Sequence, residues 1–322
     1  MNNQIFSTRD SEIKLFVILA IVLTLLLLTS FIFGSKAQRK DNSVPTETAS
    51  RSFEQIAIKA KAVYVYDVRT KSVLFTKNEN TRLPLASLTK IMAAVVAQDI
   101  NPLYSVIMVG DEALLTEGDN GLMEGERWSL KNLLDFSMVS SSNDGMHAVA
   151  LSLGALSRAG ASSEEIINDF VGEMNRKAGK LGLKNTYFWN ETGLDLPASK
   201  VGEADIKGGA YGTAKDMSVL MEHALINYPE MFDATTQRTA TLWSLDNRSH
   251  VARNTNHIVD EIPGLLASKT GLTDTAGGNL IFAFDPELGR PIIVSVLGST
   301  ETGRFTDARV LVKAIMEHIK NN

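Results

Sequence analysis

PLASLTKIMAAVVAQDI, residues 84–100, sets a serine and a lysine three residues apart at the head of an apolar run. The stretch from Ile91 to Ala97 carries no charge. Its apolar character and lack of turn residues predict a helix packed in a core. On a helix, Ser87 and Lys90 share a face, with Cβ atoms about 5–6 Å apart. A lysine near a core is costly unless it is partnered or neutral. A neutral lysine is a base, and beside a serine it can take the hydroxyl proton and leave a nucleophile. Burial and a second nearby cation would both lower its pKa. At the head of the helix Ser87 also meets the positive end of the dipole. Read alone, the same spacing also fits a helix cap followed by a surface lysine.

Two further stretches carry polar groups of the same kind. In MVSSSNDGMHAVA, residues 138–150, the run Ser141-Ser142-Asn143 lies between two apolar helical segments. It reads either as a helix connection capped by Asn143 or Asp144, or as a hydroxyl relay at Ser141 with a substrate-binding amide at Asn143. In LLASKTGLTDTAGGNL, residues 265–280, Lys269-Thr270-Gly271 follows a short apolar run and precedes glycines. By itself it reads as a polar strand end.

In this order the three triplets, Ser-x-x-Lys, Ser-x-Asn and Lys-Thr-Gly, form the set found in penicillin-binding proteins and class A β-lactamases. The chain resembles the D-alanyl-D-alanine carboxypeptidases, which are low-molecular-mass penicillin-binding proteins. The resemblance runs over roughly residues 60–315. It is carried by YDVRTKSVLFTKNENTRLPLASLTKIMAA, TEGDNGLMEGERWSLKNLLDFSMVSSSND, MNRKAGKLGLKNTYFWNETGLDL, YGTAKDMSVLM and GLLASKTGLTDTAGGNLIFAF.

The resemblance implies a role for each matching residue. Ser87 attacks the carbonyl between two terminal D-alanines and forms an acyl-enzyme, with Lys90 as general base. Ser141 passes a proton toward the leaving amine, and Asn143 holds the substrate amide. Lys269 keeps the network electropositive and, with Thr270, binds the terminal carboxylate. The backbone N–H groups of Ser87 and Leu272 form the oxyanion hole, a term that often dominates catalysis. Gly271 lets substrate lie close against the strand edge. Arg304, in GRFTD, stands where the family often has an arginine near the carboxylate. Leu272 replaces a histidine that some relatives carry after Lys-Thr-Gly, which matters little if only its backbone is used. Many relatives also continue into a β-rich domain and an amphipathic anchor, whereas this sequence stops at its last helical segment, HIKNN being too short to attach to a membrane.

The expected architecture is α+β, of the β-lactamase/transpeptidase type. An antiparallel sheet is built from both chain ends, with helices on its faces and a helical subdomain beside it. Val63 to Tyr66 and Val73 to Thr76 read as a hairpin across a polar turn. NLIFAFD and PIIVSVLG read as two more strands joined at PELGR. Between them, Ser162 and Glu165 have capping-box spacing ahead of a face made by Ile166, Ile167, Phe170, Met174, Ala178 and Leu181. A last helix has Ala308, Leu311, Val312, Ile315, Met316 and Ile319 on one stripe.

The N-terminus speaks to location. Residues 15–34, LFVILAIVLTLLLLTSFIFG, are uncharged and long enough to cross a bilayer core of about 30 Å. The expected organisation is a cytoplasmic segment at 1–14, a transmembrane anchor at 15–34, a flexible tether at 35–50 and a catalytic domain at 51–322 outside the cytoplasm. The alternative is a signal peptide cleaved near Ala37, giving a secreted enzyme. The basic residues Arg9 and Lys14 before the span and Lys36, Arg39 and Lys40 after it do not decide orientation.

Composition narrows the rest. The 322 residues carry a net charge of −5, which gives no basic signature for nucleic acid, and there is no cysteine for a disulfide, a thiolate metal site or a thiol nucleophile. His147, His223, His250, His257 and His318 show no metal spacing and read as surface or core residues. No cofactor is expected. The expected partners are a stem peptide of peptidoglycan ending in D-Ala-D-Ala, β-lactams as covalent inhibitors, and the membrane. Three other readings share the motifs. They are a β-lactamase, for which Glu191 is the candidate carboxylate base, a D-alanyl endopeptidase, and a penicillin-binding sensor without activity, which would have no need of Lys90.

Overall fold

The computed structural model describes residues 51–321 except 55, 119–120, 158–159 and 197–207. The expected cytoplasmic segment, anchor and tether at 1–50 lie outside the described residues. Among the described residues no helix is long and apolar enough to cross a membrane.

The first elements are β1 (Ala62–Asp67) and β2 (Ser72–Lys77), the antiparallel hairpin expected from the two β-rich runs. The short strand β3 (Leu83–Pro84) leads into a single 3₁₀ turn, Ala86–Leu88, and then α1 (Thr89–Ile100). β4 (Val106–Met108) and β5 (Arg127–Ser129) pair across the short helix α2 (Asp111–Leu114). α3 (Leu130–Val139) and α4 (Asn143–Gly154) flank residues 140–142, and α5 (Ser163–Lys180) follows. β6 (Tyr187–Phe188) and β7 (Ala210–Gly212) join β3 in a three-stranded ladder ahead of α6 (Ala214–Asn227). After the hairpin β8 (Thr239–Trp243) and β9 (Ser249–Arg253) come β10 (Leu265–Thr273), β11 (Gly277–Phe284) and β12 (Ile292–Ser299). The last helix is α7 (Gly303–Lys320).

The main sheet runs in the order β10-β11-β12-β1-β2, with every neighbouring pair antiparallel. It is therefore made from both ends of the folded region, as the strand pattern predicts. Strand periodicity explains its two covered faces, because alternate residues point to opposite sides. Val63, Val65, Leu280, Phe282, Phe284, Ile292, Val294 and Val296 meet Phe305, Ala308, Leu311 and Ile315 of α7. Ala62, Tyr64, Ala267, Ile281, Ala283, Ile293 and Leu297 face the core that contains α1 and α6. Small residues on that second face let helices approach closely, and Ser295 Oγ even shares a hydrogen bond with Ser218 Oγ of α6 at 2.7 Å. Burying each Val, Leu, Ile or Phe contributes roughly 1.5–3 kcal/mol, so the two faces supply most of the sheet's stabilisation.

Local sequence accounts for the helix starts. Ser162 and Glu165 form the expected capping box on α5. Ser129 caps α3, and Thr213 caps α6 by accepting from the Asp216 N–H. At α4 the cap is Ser142, whose Oγ accepts from the Gly145 N–H at 3.0 Å, rather than Asn143 or Asp144. This correction matters, because it releases the Asn143 side chain for another task. A second correction concerns α7. Met316 is 38% exposed, because it sits at the border of the stripe, next to the fully buried Ile315.

One contact fixes the turn that carries Ser87 against the sheet. Asn279 of β11, fully buried, donates from Nδ2 to the carbonyls of Pro84 at 2.9 Å and Leu85 at 3.1 Å. Its Oδ1 accepts from the Gly298 N–H at 2.7 Å. Asn279→Ala leaves buried backbone groups without partners, at a cost of about 1–3 kcal/mol for each unsatisfied group. The expected outcome is a melting temperature several degrees lower, together with slower reaction of Ser87 with a serine-directed acylating agent. Thermal unfolding followed by circular dichroism and timed labelling check both.

Candidate active site

Ser87 sits in the 3₁₀ turn that enters α1, one turn before Lys90. The preceding residue, Ala86, adopts the left-handed region at φ 48. For a residue with a Cβ this costs about 1–2 kcal/mol. The turn is held on all sides: Thr89 Oγ1 donates to the Ala86 carbonyl at 2.7 Å, and the Leu85 N–H donates to the Ala210 carbonyl at 2.9 Å. Gly193, at φ 81, lies against the same turn. A Cβ there would come 2.0 Å from the Ala86 oxygen, so only glycine fits.

Lys90 is wholly buried, and its Nζ is 3.0 Å from Ser87 Oγ, 2.7 Å from Asn143 Oδ1 and 2.9 Å from the Thr192 carbonyl. Burial lowers its pKa to about 7, against the opposing charges of Glu191 and Asp144. Neutral Lys90 keeps two N–H bonds, which Asn143 and Thr192 can accept. Its lone pair is then left for the third contact, the Ser87 hydroxyl. The geometry thus makes a serine and an amine base that exchange one proton.

The second lysine repeats the pattern. Lys269, from the middle of β10 rather than a strand end, is 1% exposed and donates to Ser141 Oγ at 2.9 Å and to the Thr270 carbonyl at 3.0 Å. Its pKa is pushed well below the ordinary value, first by burial and then by Lys90 and Arg304. The expected influence between neighbouring cations therefore falls on Lys269, whereas burial alone lowers Lys90. Ser141 too is held in the left-handed region, at φ 62. Thr270 Oγ1 lies 2.5 Å from Thr255 Oγ1. Arg304, at the start of α7, donates from Nη1 to the Gly271 carbonyl at 2.7 Å, and its buried Nε has no hydrogen-bond partner among the described residues.

Gly271 has a different task from the one expected. A Cβ there would meet the Leu85 carbonyl at 2.8 Å, Ala86 Cβ at 3.2 Å and the Ser87 nitrogen at 3.3 Å. The glycine lets the edge strand β10 lie against the turn that carries Ser87. That contact brings the backbone of Gly271 beside the Ser87 N–H, while the next residue, Leu272, is 44% exposed. Asn143 is also more committed than expected. Its Oδ1 is taken by Lys90, and its Nδ2 donates to the Glu117 carbonyl at 2.7 Å. One Nδ2 hydrogen remains to meet a substrate carbonyl.

All nine residues singled out in the sequence lie on the elements that meet here: the α1 entry, residues 140–142 with the start of α4, β10, and the start of α7. Sequence reading missed the carbonyls of Thr192 and Glu117, the Thr255 hydroxyl, and Asn279 and Gly193. It also missed a pair beside Lys90, His147 Nδ1 and Glu191 Oε1, 2.6 Å apart.

The description of the peptidase S11, D-alanyl-D-alanine carboxypeptidase, family matches residues 47–301. The chain belongs to this family. It is 30% identical over 228 residues to the D-alanyl-D-alanine carboxypeptidase DacF of Bacillus subtilis, covering 69% of this chain and 53% of that protein. It is 30% identical over 278 residues to the D-alanyl-D-alanine carboxypeptidase DacC of Escherichia coli, covering 82% of this chain and 63% of that one. The chain thus spans between half and two thirds of these two relatives' length. Among solved structures, the D-alanyl-D-alanine carboxypeptidase of Mycobacterium tuberculosis H37Rv superposes with a TM-score of 0.67 at 25% identity, covering 81% of this chain and 92% of that one. The Streptomyces K15 DD-transpeptidase, at 24% identity, shares the fold with a TM-score of 0.68, covering 81% of this chain and 98% of that one. The α+β architecture expected from the motifs is the fold of these peptidases.

The protonation of Lys90 makes the S11 site pH-dependent in a stated direction. Acylation of Ser87 should rise about tenfold per pH unit below about 7 and level off above it, as Lys90 loses its proton. Stability moves with the same group. An unfolded lysine keeps its proton up to about 10.4, so the cost of burying Lys90 is full below about 7 and recedes as pH climbs through that window. Lys90→Arg, which cannot deprotonate in practice, should fold and lose acylation by at least about 10²–10⁴. Stopped-flow acylation against pH, with circular dichroism of the variant, checks these outcomes.

Proposed function

We propose that this chain is a serine-type D-Ala-D-Ala carboxypeptidase that trims the terminal D-alanine from peptidoglycan stem peptides. The observation that carries the reading is the buried Lys90, whose amine meets Ser87 Oγ at 3.0 Å while two other acceptors hold it in place. Ser87 Oγ attacks the carbonyl of the penultimate D-alanine and its proton passes to Lys90 Nζ. The oxyanion rests on the N–H groups of Ser87 and Leu272. The C–N bond breaks as Ser141 delivers a proton to the departing amine and takes in its place the proton that Lys90 holds, and D-alanine leaves. Water then cleaves the ester and restores Ser87. β-Lactams acylate the same serine by opening their amide bond.

Recognition of a free carboxylate follows from charge. Lys269 and Arg304 are both buried basic groups held below their ordinary proton affinities, and Lys269 feels no carboxylate strongly enough to offset that burial. A substrate anion beside Thr270 supplies the missing charge. A second reading, endopeptidase action on D-alanyl crosslinks, is favoured by a relative of Pseudomonas aeruginosa named D-alanyl-D-alanine endopeptidase, 29% identical over 79% of this chain and 76% of that protein. β-Lactamase action is less well supported, because Glu191 is engaged by His147.

For location, the uncharged run at 15–34 supports a single-pass anchor that leaves the catalytic domain outside the cytoplasm, on a tether at 35–50. Carbonate-resistant membrane association of the full chain, with its original N-terminus retained, is the expected result. A mature N-terminus at Gln38 would establish a secreted enzyme instead.

The enzymatic reading is tested with two peptides ending in D-Ala-D-Ala, one a free acid and one an amide, and with labelled penicillin. The acid should release D-alanine with a kcat/KM far above the amide, and the label should map to Ser87 and vanish in Ser87→Ala. Equal turnover of acid and amide would favour the endopeptidase.

A further inference from the structure

We propose that Glu191 and His147 form a positioning pair for Lys90, fixing where its amine sits and offsetting charge beside it. The inference rests on the reading of Lys90 as the base for Ser87. It starts from geometry. Two of the groups that hold Lys90 Nζ are Asn143 and the Thr192 carbonyl, which come from α4 and from the segment between β6 and β7. His147 is four residues beyond Asn143, on the same face of α4. Glu191 is the neighbour of Thr192. The 2.6 Å contact between His147 Nδ1 and Glu191 Oε1 therefore joins the two elements that grip the amine. Glu191 is buried, and the His147 side chain is 18% exposed, opening with Glu191 onto a cavity of about 690 Å³.

Charge gives the pair its second task. Lys90 feels the carboxylates of Glu191 and Asp144, and both favour its proton. Lys269 lies across the site and feels Lys90 in turn. Around His147 stand Glu191, Glu112 of α2 and Asp144 of α4, and together they raise its proton affinity even against burial. His147 and Lys90 thus compete for the influence of one carboxylate. A proton on His147 cancels Glu191 and leaves Lys90 free to be neutral. Loss of that proton exposes Lys90 to the full carboxylate and weakens it as a ready base.

This arrangement separates the pair from residues that merely support the fold, because its two members should move the pH profile in opposite directions. Acylation by a fluorescent penicillin is followed by stopped flow from about pH 5 to 10 on the full chain. Labelling of wild-type Ser87 in the same series tests the underlying reading separately. Glu191→Gln should shift the acid limb to lower pH by on the order of one unit, the size a close charge produces. His147→Asn, which keeps a donor to Glu191 but no charge, should shift it upward. The double variant should return close to wild type, and Glu191→Asp and His147→Lys should retain the wild-type midpoint. If Glu191→Gln melts early, the direction of the His147→Asn shift decides. Loss of rate in both single variants with an unmoved midpoint would reduce the pair to a structural contact and overturn the proposal. So would a Glu191→Gln protein that acylates with the wild-type profile and is slowed only in ester hydrolysis, since Glu191 would then act on the deacylating water directly.

Discussion

Two lysine side chains share the interior of this site, and among the described residues neither has a carboxylate as a hydrogen-bond partner. Lys90 and Lys269 are 0% and 1% exposed, and neutral oxygens of Ser87, Asn143, Thr192, Ser141 and Thr270 surround their amines. A buried ammonium is normally neutralised by an ion pair or by losing its proton. Withholding the ion pair selects the second course. Lys90 is pushed to about 7, and its free lone pair faces a serine. Had Glu191 reached Lys90 directly instead of His147, the amine would have remained an ammonium and Ser87 an ordinary alcohol.

Holding such a pair demands support from every neighbouring element. β10 brings Lys269 to the edge of the sheet, and Gly271 lets that edge touch the Leu85–Ser87 turn. Gly193 closes on the turn from the other side. Ala86 and Ser141 are held at positive φ, conformations that persist only where the surroundings over-determine them. The surroundings here are the two apolar faces of the sheet and the Asn279 hydrogen bonds. Functional strain sits on the seam between sheet and helices, while the stabilising burial lies in the cores on either side. Asp307 closes the opposite side of the sheet in a conventional way. It accepts from the backbone N–H groups of Lys59 and Ala60 at 2.8 Å each and from Ser299 Oγ at 2.7 Å.

The parts of this arrangement that were legible in the sequence are those in which a side-chain type is itself the chemistry. Ser87, Lys90 and Ser141 could be named because few residues can be nucleophile, base or relay, whereas Lys269 was named only through the resemblance that the three motifs carry together. The long strands and α5 and α7 could be named because periodicity and capping act within one segment. What escaped is of three kinds. The Thr192 and Glu117 carbonyls act through the main chain, which every residue carries. The ladders of β3, β6 and β7, of β4 and β5, and of β8 and β9 have strands of two to five residues, too short for a period to register. The His147–Glu191 contact joins residues 44 apart in sequence, so nothing in either neighbourhood announces the other. Gly271 was picked out correctly but for a different neighbour, since its sequence shows that something comes close without showing what.

The electrostatics also give an order to events in the site. A carboxylate seated against Lys269 and Arg304 favours their charged forms, because an opposite charge raises a lysine's affinity for its proton. Cationic Lys269 in turn disfavours a proton on Lys90, the neighbour whose charge it already feels. Binding the free acid thus sharpens the base that is to activate Ser87, and a ligand without an anion at that place leaves the base as it was. On the proposed reading, recognition of the substrate's end and activation of Ser87 are then one electrostatic event seen at two lysines. The covalent step is favoured only after the anion is in place, and the interior that makes each lysine a poor host for a proton is what allows the two to be coupled.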